Sequence, residues 1–382
     1  MNDKAHWLRR LFGRMPGRPV SPSGGDPSSR EPAASNFEHT RPAPSDFVRG
    51  LALAGNGQLE EALAVFEQVI RLNPGDASAY SAKGNVLGQL GRSEEALIAH
   101  EQAIRLNPRS AFAYYSKGNT LSDLGRLEEA LAAFEQAIRL NPGNADAYYH
   151  KGATLIVFGR LEEALAAFEQ AVRLNPGNAD AHYDKGYTLV RLERFEEALA
   201  AFEQAVRLNP GNATAHDYKG VLLGRLERFE EALAAFEQAT LLNPGNADAH
   251  CHKGVALRQL GRLEEALAAF EQAICLNPGD ASAYIYKGSV LGQLGQSEEA
   301  FIAYEQATLL NPGNASAYSG KGVALADLGR LEEALAAFEQ AIRLDPGNAT
   351  AYFGKGIALQ QLGRLEEAER FFQRAQELSH RS

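Results

Sequence analysis

The sequence has few cysteines and no long apolar run. Only two cysteines, Cys251 and Cys275, occur in 382 residues, which is too few for a disulfide framework and typical of a reducing compartment. No apolar run approaches the roughly 20 residues that a membrane-spanning helix needs. We therefore expect a cytoplasmic protein whose fold does not depend on disulfide bonds.

Motifs for catalysis and for cofactor binding are also missing from the sequence. It contains no nucleophile–base–orienter set, no phosphate-binding loop and no nucleotide fingerprint. Three histidines, His182, His216 and His250, recur at one fixed spacing. Helices that pack as neighbours lie roughly 10 Å apart, so these three rings cannot share a metal whose bonds to nitrogen are about 2 Å. The sequence predicts a protein that is not an enzyme and has no metal or cofactor.

Basic charge is too scarce for general nucleic-acid binding. The chain has 38 Lys and Arg against 48 Asp and Glu. Residues 1–42 hold 7 basic and 4 acidic residues, so residues 43–382 keep 31 against 44, a net charge of −13. Proteins that bind nucleic acid rely on cations that neutralise phosphates, and we expect no nucleic-acid partner.

The N-terminal part of the chain, residues 1–42, differs in composition from the rest. Residues 1–44 contain seven of the sixteen prolines, and from Pro16 onward the sequence is rich in Pro, Ser and Gly. This composition predicts a basic, disordered arm. Before Pro16, the segment AHWLRRLFGRM within residues 4–15 is short, basic and amphipathic. It is interpreted as a frayed terminus, as a peripheral anchor for an anionic membrane or a partner protein, or as an organellar transit peptide.

The rest of the chain consists of copies of one sequence motif. Residues 145–178 read ADAYYHKGATLIVFGRLEEALAAFEQAVRLNPGN, and edited copies of the same length follow one another without insertions. The ten copies span residues 43–76, 77–110, 111–144, 145–178, 179–212, 213–246, 247–280, 281–314, 315–348 and 349–382. A fixed period of this length is typical of a solenoid, in which each unit buries its apolar face against its neighbours.

Each copy contains two helical patterns. In the fourth copy, apolar spacing predicts a first helix over residues 145–158 and a second over residues 161–174. Gly159 between them suits a left-handed helix terminus, and Asn178 is predicted to cap the following helix. Gly152 and Ala164 keep their identity in all ten copies, which predicts that the two helices approach closely at these small residues.

The pattern of recurring residue types carries a family resemblance. The residues are Tyr148, Gly152, Leu155, Ala164, Phe168, Ala171 and Pro176. At these places the copies resemble the tetratricopeptide repeat (TPR), throughout residues 43–382. The resemblance implies an all-α fold, a right-handed superhelical solenoid of antiparallel helix pairs. It also implies a concave groove, lined by the first helices, that holds proteins or peptides.

One column of residues departs from that family pattern. The place before the recurring glycine holds Arg49 in the first copy and lysine in the other nine, from Lys83 to Lys355. These lysines form either a track for an anion or a solvated row neutralised by nearby glutamates, and we favour the second interpretation. On the second helix, Glu169 and Arg173 are expected to form an i, i+4 ion pair.

The copies vary mainly on their first helices, at places that line the groove in the TPR family. By this resemblance the predicted partner-binding residues are Tyr115, Asn119, Tyr149, Ile156, Val157, Tyr183, Tyr187, Arg191, Asp217, Arg225, Cys251 and Arg258. Tyr and Arg are frequent anchors of binding surfaces, so repeats 4 to 7 are the predicted site. The arginines favour a partner with acidic side chains or a terminal carboxylate. The alternative is drift in duplicated sequence without a ligand.

The sequence therefore favours a non-catalytic scaffold that binds an extended peptide or a helix of a partner protein. A membrane-tethered assembly factor and a regulatory or targeting subunit of a separately encoded enzyme remain alternatives, because both use the same repeats. The partner itself is not predicted by the sequence.

Overall fold

The computed structural model describes residues 44–380, with side chains from residue 46 onward. The predicted arm, including the amphipathic segment in residues 4–15, lies outside the described residues. Contacts between residues divide the chain into two compact units, one ending at Ala201 and the other beginning at Phe202. Each unit is built from helices, and the described residues contain no strand.

In the first unit the helices follow one another with short turns between them. They are α1 (Pro44–Gly55), α2 (Leu59–Leu72), α3 (Ala77–Gln89), α4 (Ser93–Leu106), α5 (Ala111–Asp123), α6 (Leu127–Leu140), α7 (Ala145–Val157), α8 (Leu161–Leu174) and α9 (Ala179–Arg191). The next helix, α10 (Phe195–Leu208), contains the boundary between the units. Each odd-numbered helix up to α7 packs antiparallel to the even-numbered helix that follows it.

The second unit continues the same alternation. Its further helices are α11 (Ala213–Arg225), α12 (Phe229–Leu242), α13 (Ala247–Gln259), α14 (Leu263–Leu276), α15 (Ala281–Gln293), α16 (Ser297–Leu310), α17 (Ala315–Asp327), α18 (Leu331–Leu344), α19 (Ala349–Gln361) and α20 (Leu365–Ser379). The twenty helices of the described residues thus form ten pairs, as the repeat count predicts.

The turns use the residues that the sequence analysis singled out. The Asn178 side chain accepts a hydrogen bond from the backbone N–H of Ala181 at 3.1 Å, which caps α9. Gly159 has a φ of +72°, in the left-handed region, so the predicted role of this glycine is confirmed. Glu193 and Glu227 adopt φ values of +59° and +57° at the same place. These two turns therefore hold a strained backbone that glycine avoids elsewhere.

The recurring glycine makes room for an aromatic ring. A Cβ placed on Gly152 would lie 2.9 Å from Cε1 of Phe168, closer than real side chains approach. Ala164 is completely buried beside that ring. The small residues therefore do mark the contact between the two helices of a pair. The space left by the glycine is taken by the Phe168 ring, however, and not by the backbone of the other helix.

The phenylalanine at this place is buried in most repeats of both units. Phe66, Phe134 and Phe168 in the first unit, and Phe202, Phe270 and Phe338 in the second, are among the largest fully buried side chains. Burial of a large apolar side chain contributes about 1.5–3 kcal/mol. The second helices, which supply these rings, therefore hold each pair together and leave the first helices free to vary in sequence.

Candidate partner-binding surface

In the first unit, the predicted partner-binding residues lie on three first helices that neighbour one another, α5, α7 and α9. They are Tyr115, Asn119, Tyr149, Ile156, Val157, Tyr183, Tyr187 and Arg191. Ile156 and Tyr183 are only 6% and 5% exposed, so they support this surface from below. Arg191 is exposed, and the other five are partly buried.

A hydrogen bond between neighbouring repeats fixes one of these tyrosines. The Tyr149 hydroxyl donates to Oδ2 of Asp184 at 2.8 Å, across α7 and α9. Asp184 is 4% exposed, and a buried carboxylate needs such donors because burial without them is costly. Tyr149, Val157 and Tyr187 also pack on one apolar cluster that includes Leu155. The surface is therefore rigid where the tyrosines lie.

His150 lies behind this surface, among aromatic rings. Its ring centroid is 5.1 Å from Tyr149, 5.7 Å from Tyr115 and 5.7 Å from Phe134. Burial lowers the pKa of His150 to about 4, because an imidazolium would lose its hydration there. Burial likewise raises the pKa of Tyr115 to about 12. Both side chains are neutral near pH 7, and they keep the base of the surface apolar.

Asn119 contributes a polar atom without a protein partner. Its Oδ1 is buried, and no donor among the described residues forms a hydrogen bond with it. An unpaired buried acceptor typically costs about 1–3 kcal/mol. The Asn119 side chain also forms a hydrogen bond with Tyr115, so this residue stabilises the surface from within.

In the second unit, four predicted residues lie on α11 and α13. Asp217 and Arg225 belong to α11, and Cys251 and Arg258 belong to α13. Oδ1 of Asp217 lies 3.0 Å from Nδ1 of His252, on the next first helix. Burial lowers the pKa of His252, but the hydrogen bond and the charge of Asp217, helped by Asp248, outweigh it and raise that pKa.

Arg258 and Cys251 are both engaged within the second unit. The Arg258 guanidinium donates to the Ser289 hydroxyl at 3.2 Å and lies over the Tyr286 ring at 5.6 Å from its centroid. Cys251 is buried, and burial raises the pKa of its thiol to about 12. Both Cys251 and Cys275 are free thiols. These contacts leave Arg258 partly exposed and make Cys251 unreactive.

One place in the repeat organises these contacts and was not predicted from the sequence. The residue before the lysine column contacts the preceding repeat through a hydrogen bond or through the buried ring of that repeat. At this place stand His150, Asp184, Tyr218, His252 and Tyr286. The signal that marks it is variation, since this place changes from copy to copy although the next residue is lysine in nine copies and Arg49 in the first.

The lysine column is neutralised by a column of glutamates. Each lysine of the column forms an ion pair with a glutamate on the second helix of the preceding repeat. The Nζ–Oε1 distances run from 2.8 Å for Lys287–Glu271 to 3.9 Å for Lys219–Glu203. These ion pairs support the favoured interpretation of the column, which stays a prediction until partner binding is measured. The expected Glu169–Arg173 pair is wrong, because Glu169 pairs with Lys185 at 3.5 Å and Arg173 donates to Gln170.

The three histidines at the repeat spacing each contact the turn that precedes their helix. Nε2 of His182, His216 and His250 lies 3.1 Å from the backbone carbonyl oxygen of Pro176, Pro210 and Pro244 respectively. Each ring therefore connects a first helix to the turn that precedes it. Among residues 44–380, no three His, Cys, Asp or Glu side chains are grouped so that they could hold a metal ion.

Comparison with known proteins agrees with this architecture. Models described as tetratricopeptide repeat or TPR repeat match residues 47–111, 115–179, 157–213, 183–223, 218–284, 281–314, 322–363 and 349–381. No curated protein matches the sequence. None of the helices that the structure describes is long and apolar enough to cross a membrane.

Several solved structures resemble parts of the chain. YrrB, described as a TPR protein with an unusual peptide-binding site, is 35% identical over 47% of this chain and 93% of its own, with a TM-score of 0.45. MamA from Desulfovibrio magneticus RS-1 is 25% identical over 44% of this chain and 95% of its own, with a TM-score of 0.40. PilF from Pseudomonas aeruginosa is 19% identical over 57% and 97%, with a TM-score of 0.49.

The fold class rests on the helix pairs and on the family models, which cover more than half of the residues. Members of the family serve in protein–protein interaction and are usually non-catalytic, and nothing in the described residues points to a specific reaction. The chain belongs to the tetratricopeptide-repeat family and is a protein-interaction scaffold.

Proposed function

We propose that the protein binds an extended segment of a partner protein along its first helices, with the main contact on the α5–α9 surface. This surface comprises Tyr115, Asn119, Tyr149, Val157, Tyr187 and Arg191. The observation that carries the proposal is that Tyr187 and Arg191 lie one turn apart on α9. They offer a partly buried ring beside an exposed cation, the combination that is enriched in binding anchors.

The charge of Arg191 favours an acidic partner. No acidic side chain among the described residues forms an ion pair with Arg191, whereas Arg160 and Arg194 in the nearby turns pair with Glu163 and Glu197. A guanidinium binds carboxylates in a two-pronged geometry. Because the repeats carry a net charge of −13, an acidic segment is repelled elsewhere and directed to such a cation. An acidic side chain or a C-terminal carboxylate is the proposed recognition element.

The rigidity of the surface supports affinity. The Asp184 carboxylate fixes Tyr149, and the apolar cluster beneath Tyr187 and Val157 limits their motion. Less ordering entropy is then lost when a segment binds. In the second unit, Arg225 and Arg258 are proposed as separate, weaker contacts, since Arg258 is already engaged.

The test selects ligands from a displayed library of random linear peptides and measures their affinities by fluorescence anisotropy. Selected peptides should be rich in Asp or Glu or should need a free C-terminus. Arg191→Glu is expected to weaken binding at least about tenfold, and Tyr187→Ala by ten- to a hundredfold. Tyr183→Ala is unsuitable, because the 5% exposure of Tyr183 means that its removal leaves a cavity.

Arg173→Glu is the matched control. Arg173 is also an exposed arginine in the last turn of a helix, but it lies on the second helix α8. Its reversal should leave affinity unchanged within about twofold. Equal losses in Arg191→Glu and Arg173→Glu would place the site elsewhere. A pull-down with residues 43–382 and with the full chain separates the repeats from the arm, and so distinguishes the tethering alternative.

A further inference from the structure

A pocket of about 410 Å³ lies in the second unit. None of the residues proposed as partner contacts above lines it, although Ser289 in its lining accepts a hydrogen bond from Arg258. It is formed by α15, α16, α17 and the start of α19. The lining includes Ser289, Gly292, Tyr304, Ser319, Gly320 and Asp327. Its volume is in the range of sites that hold small ligands or single large side chains.

The pocket exists because one repeat boundary lacks side chains that the previous boundary has. Five equivalent places are Val255, Arg258, Phe270, Ile285 and Tyr286 at the boundary of repeats 7 and 8, and Ser289, Gly292, Tyr304, Ser319 and Gly320 at the boundary of repeats 8 and 9. At the first boundary the Tyr286 ring stacks on Phe270 at 5.5 Å, beneath the Arg258 guanidinium. At the second, both the ring and the guanidinium are replaced by glycine.

Ser319 points to a missing polar partner. It is 5% exposed and lines the pocket, and within residues 44–380 its Oγ has no hydrogen-bond partner. Buried hydroxyls are almost always hydrogen-bonded, and an unpaired one is costly. An occupant that brings a hydroxyl group to Ser319 removes that cost.

Tyr304 supplies a second, unusual feature. It stands where eight of the ten repeats have phenylalanine and one has His100. Burial raises the pKa of Tyr304, against smaller opposing effects of the Ser289 hydroxyl and the Arg258 charge. Its ring is wedged against the backbone of Gly320, so that a Cβ added there would collide with Cε1 of the ring. The chain therefore cannot fill this pocket with a side chain of its own at Gly320.

The lining chemistry narrows the occupant. Tyr304 and Val323 offer apolar area, Ser289 and Ser319 offer hydroxyls, and Asp327 is the charged residue of the lining. Asp327 disfavours a carboxylate or a phosphate, whereas a phenol has an apolar body and a polar tip. At the neighbouring boundary the equivalent place is filled by the Tyr286 ring, which stacks on Phe270.

We propose that this pocket binds a tyrosine side chain of an extended segment in a partner protein. The inference uses the chain's role as a protein-interaction scaffold but is independent of the α5–α9 surface. The phenol ring packs against Tyr304 and Val323, and its hydroxyl forms a hydrogen bond with Ser319. A partner that also carries an acidic element would use the two sites separately.

The test uses blocked pentapeptides Ser-Gly-X-Gly-Ser with X as Tyr, Phe or Leu, and free p-cresol, with dissociation constants from saturation-transfer NMR titrations on the full chain. The Tyr peptide should bind about five- to tenfold more tightly than the Phe peptide, and the Leu peptide should bind more weakly still. Ser319→Ala should remove the preference for Tyr over Phe, since both rings then lack a polar partner.

Gly292→Leu fills the pocket, and Gly224→Leu is its matched control. A Cβ on either glycine meets nothing within 4 Å, and leucine favours a helix more than glycine, so both variants should fold. Gly292→Leu should weaken the Tyr peptide at least about tenfold, whereas Gly224→Leu should leave it unchanged. Equal binding of the Tyr and Leu peptides, or insensitivity to Gly292→Leu, overturns the proposal. If p-cresol binds as tightly as the Tyr peptide, the pocket recognises a free phenol and not a tyrosine of a partner segment, and the proposal is overturned. The variant Arg191→Glu should not affect this assay.

Discussion

His150 in the first unit and His252 in the second stand at the same place of their repeats, one residue before the lysine column. His150 faces the rings of Tyr115, Phe134 and Tyr149, whereas His252 faces the carboxylate of Asp217. Burial lowers the pKa of His150 to about 4, while the net effect on His252 is a raised pKa. The residue that faces the histidine from the preceding repeat thus helps to decide the direction in which its pKa shifts.

This difference shows that the first and second helices of a repeat have different roles. The second helices keep one sequence and supply the buried rings, so they hold the pairs together. The first helices vary, and their variation changes hydrogen bonds and charges between neighbouring repeats without changing helix bounds. A solenoid whose units contact only their neighbours tolerates such local changes, because each affects one boundary.

The largest expected effect concerns His150. His150→Phe keeps a ring at a place where Tyr218 and Tyr286 show that larger rings fit. The unfolded chain protonates this histidine near pH 6.5 and the folded chain only near pH 4, so its neutral form stabilises the fold above pH 6.5. That stabilisation is lost as pH falls from about 6.5 to 4. In wild type it amounts to about 2–3 kcal/mol between pH 7 and pH 4.5.

Urea unfolding at pH 7 and pH 4.5, followed by circular dichroism, checks this prediction. The loss of free energy of unfolding on acidification should be smaller in His150→Phe than in wild type by that amount. His100→Phe provides a parallel case, because burial also lowers the pKa of His100 to about 4. An identical pH dependence in wild type and His150→Phe would show that His150 is hydrated or paired.

A somewhat smaller effect is expected from Tyr149→Phe. This change removes the donor that lies 2.8 Å from Oδ2 of Asp184, and Asp184 is 4% exposed. Loss of one donor to a buried carboxylate typically costs about 1–3 kcal/mol. The free energy of unfolding at pH 7 should fall by that amount. Tyr148→Phe is the control, as Tyr148 lies on the same helix, and it should cost less than about 0.5 kcal/mol.

The fold was largely predictable, because ten copies reinforce one pattern. The predicted first helix over residues 145–158 corresponds to Ala145–Val157, and the second to Leu161–Leu174. Gly159 and Asn178 have the predicted local roles because turns and caps depend on a few neighbouring residues. Handedness of the superhelix and binding by the groove remain predictions that rest on the family.

Contacts between repeats were less predictable. Tyr149 pairs with Asp184 and Asp217 with His252, and in both pairs the second residue stands one place beyond the equivalent of the first. The repeat period aligns equivalent places, so a contact between non-equivalent places needs the packing geometry of neighbouring helices. The burial of Tyr183 has the same cause, since periodicity marks the variable face of a helix but not the depth of each residue.

Asp217→Asn is expected to act mainly through the charge of His252. Without the carboxylate, burial of the ring dominates, and the pKa of His252 should fall. A raised pKa stabilises the fold below pH 6.5, and this contribution is lost as pH rises through the folded pKa. The variant should therefore lose more stability at pH 5.5 than at pH 8.5. The expected difference is only about 1 kcal/mol, because the His252 side chain is 39% exposed and solvent screens the pair.

An NMR titration of the His252 ring, together with urea unfolding at both pH values, checks this prediction. Asp248→Asn is the control, since Asp248 has a smaller effect on the same histidine. A stability loss that is equal at pH 5.5 and pH 8.5 would show that Asp217 acts by packing alone.

The smallest effect is expected from the lysine column. It follows both histidines in the sequence, as Lys151 after His150 and as Lys253 after His252. Lys151 and Lys185 pair with Glu135 and Glu169 at 3.0 and 3.5 Å, and the lysine side chains are 25% exposed. Exposed ion pairs contribute about 0–1 kcal/mol each, and methionine keeps the apolar contact of the lysine stem. Lys151→Met with Lys185→Met should therefore lower the free energy of unfolding by less than about 1 kcal/mol in total. Peptides selected on the α5–α9 surface should bind with unchanged affinity, because each lysine already has its glutamate. A large, salt-sensitive loss of affinity would instead identify the column as a track for the partner's acidic groups.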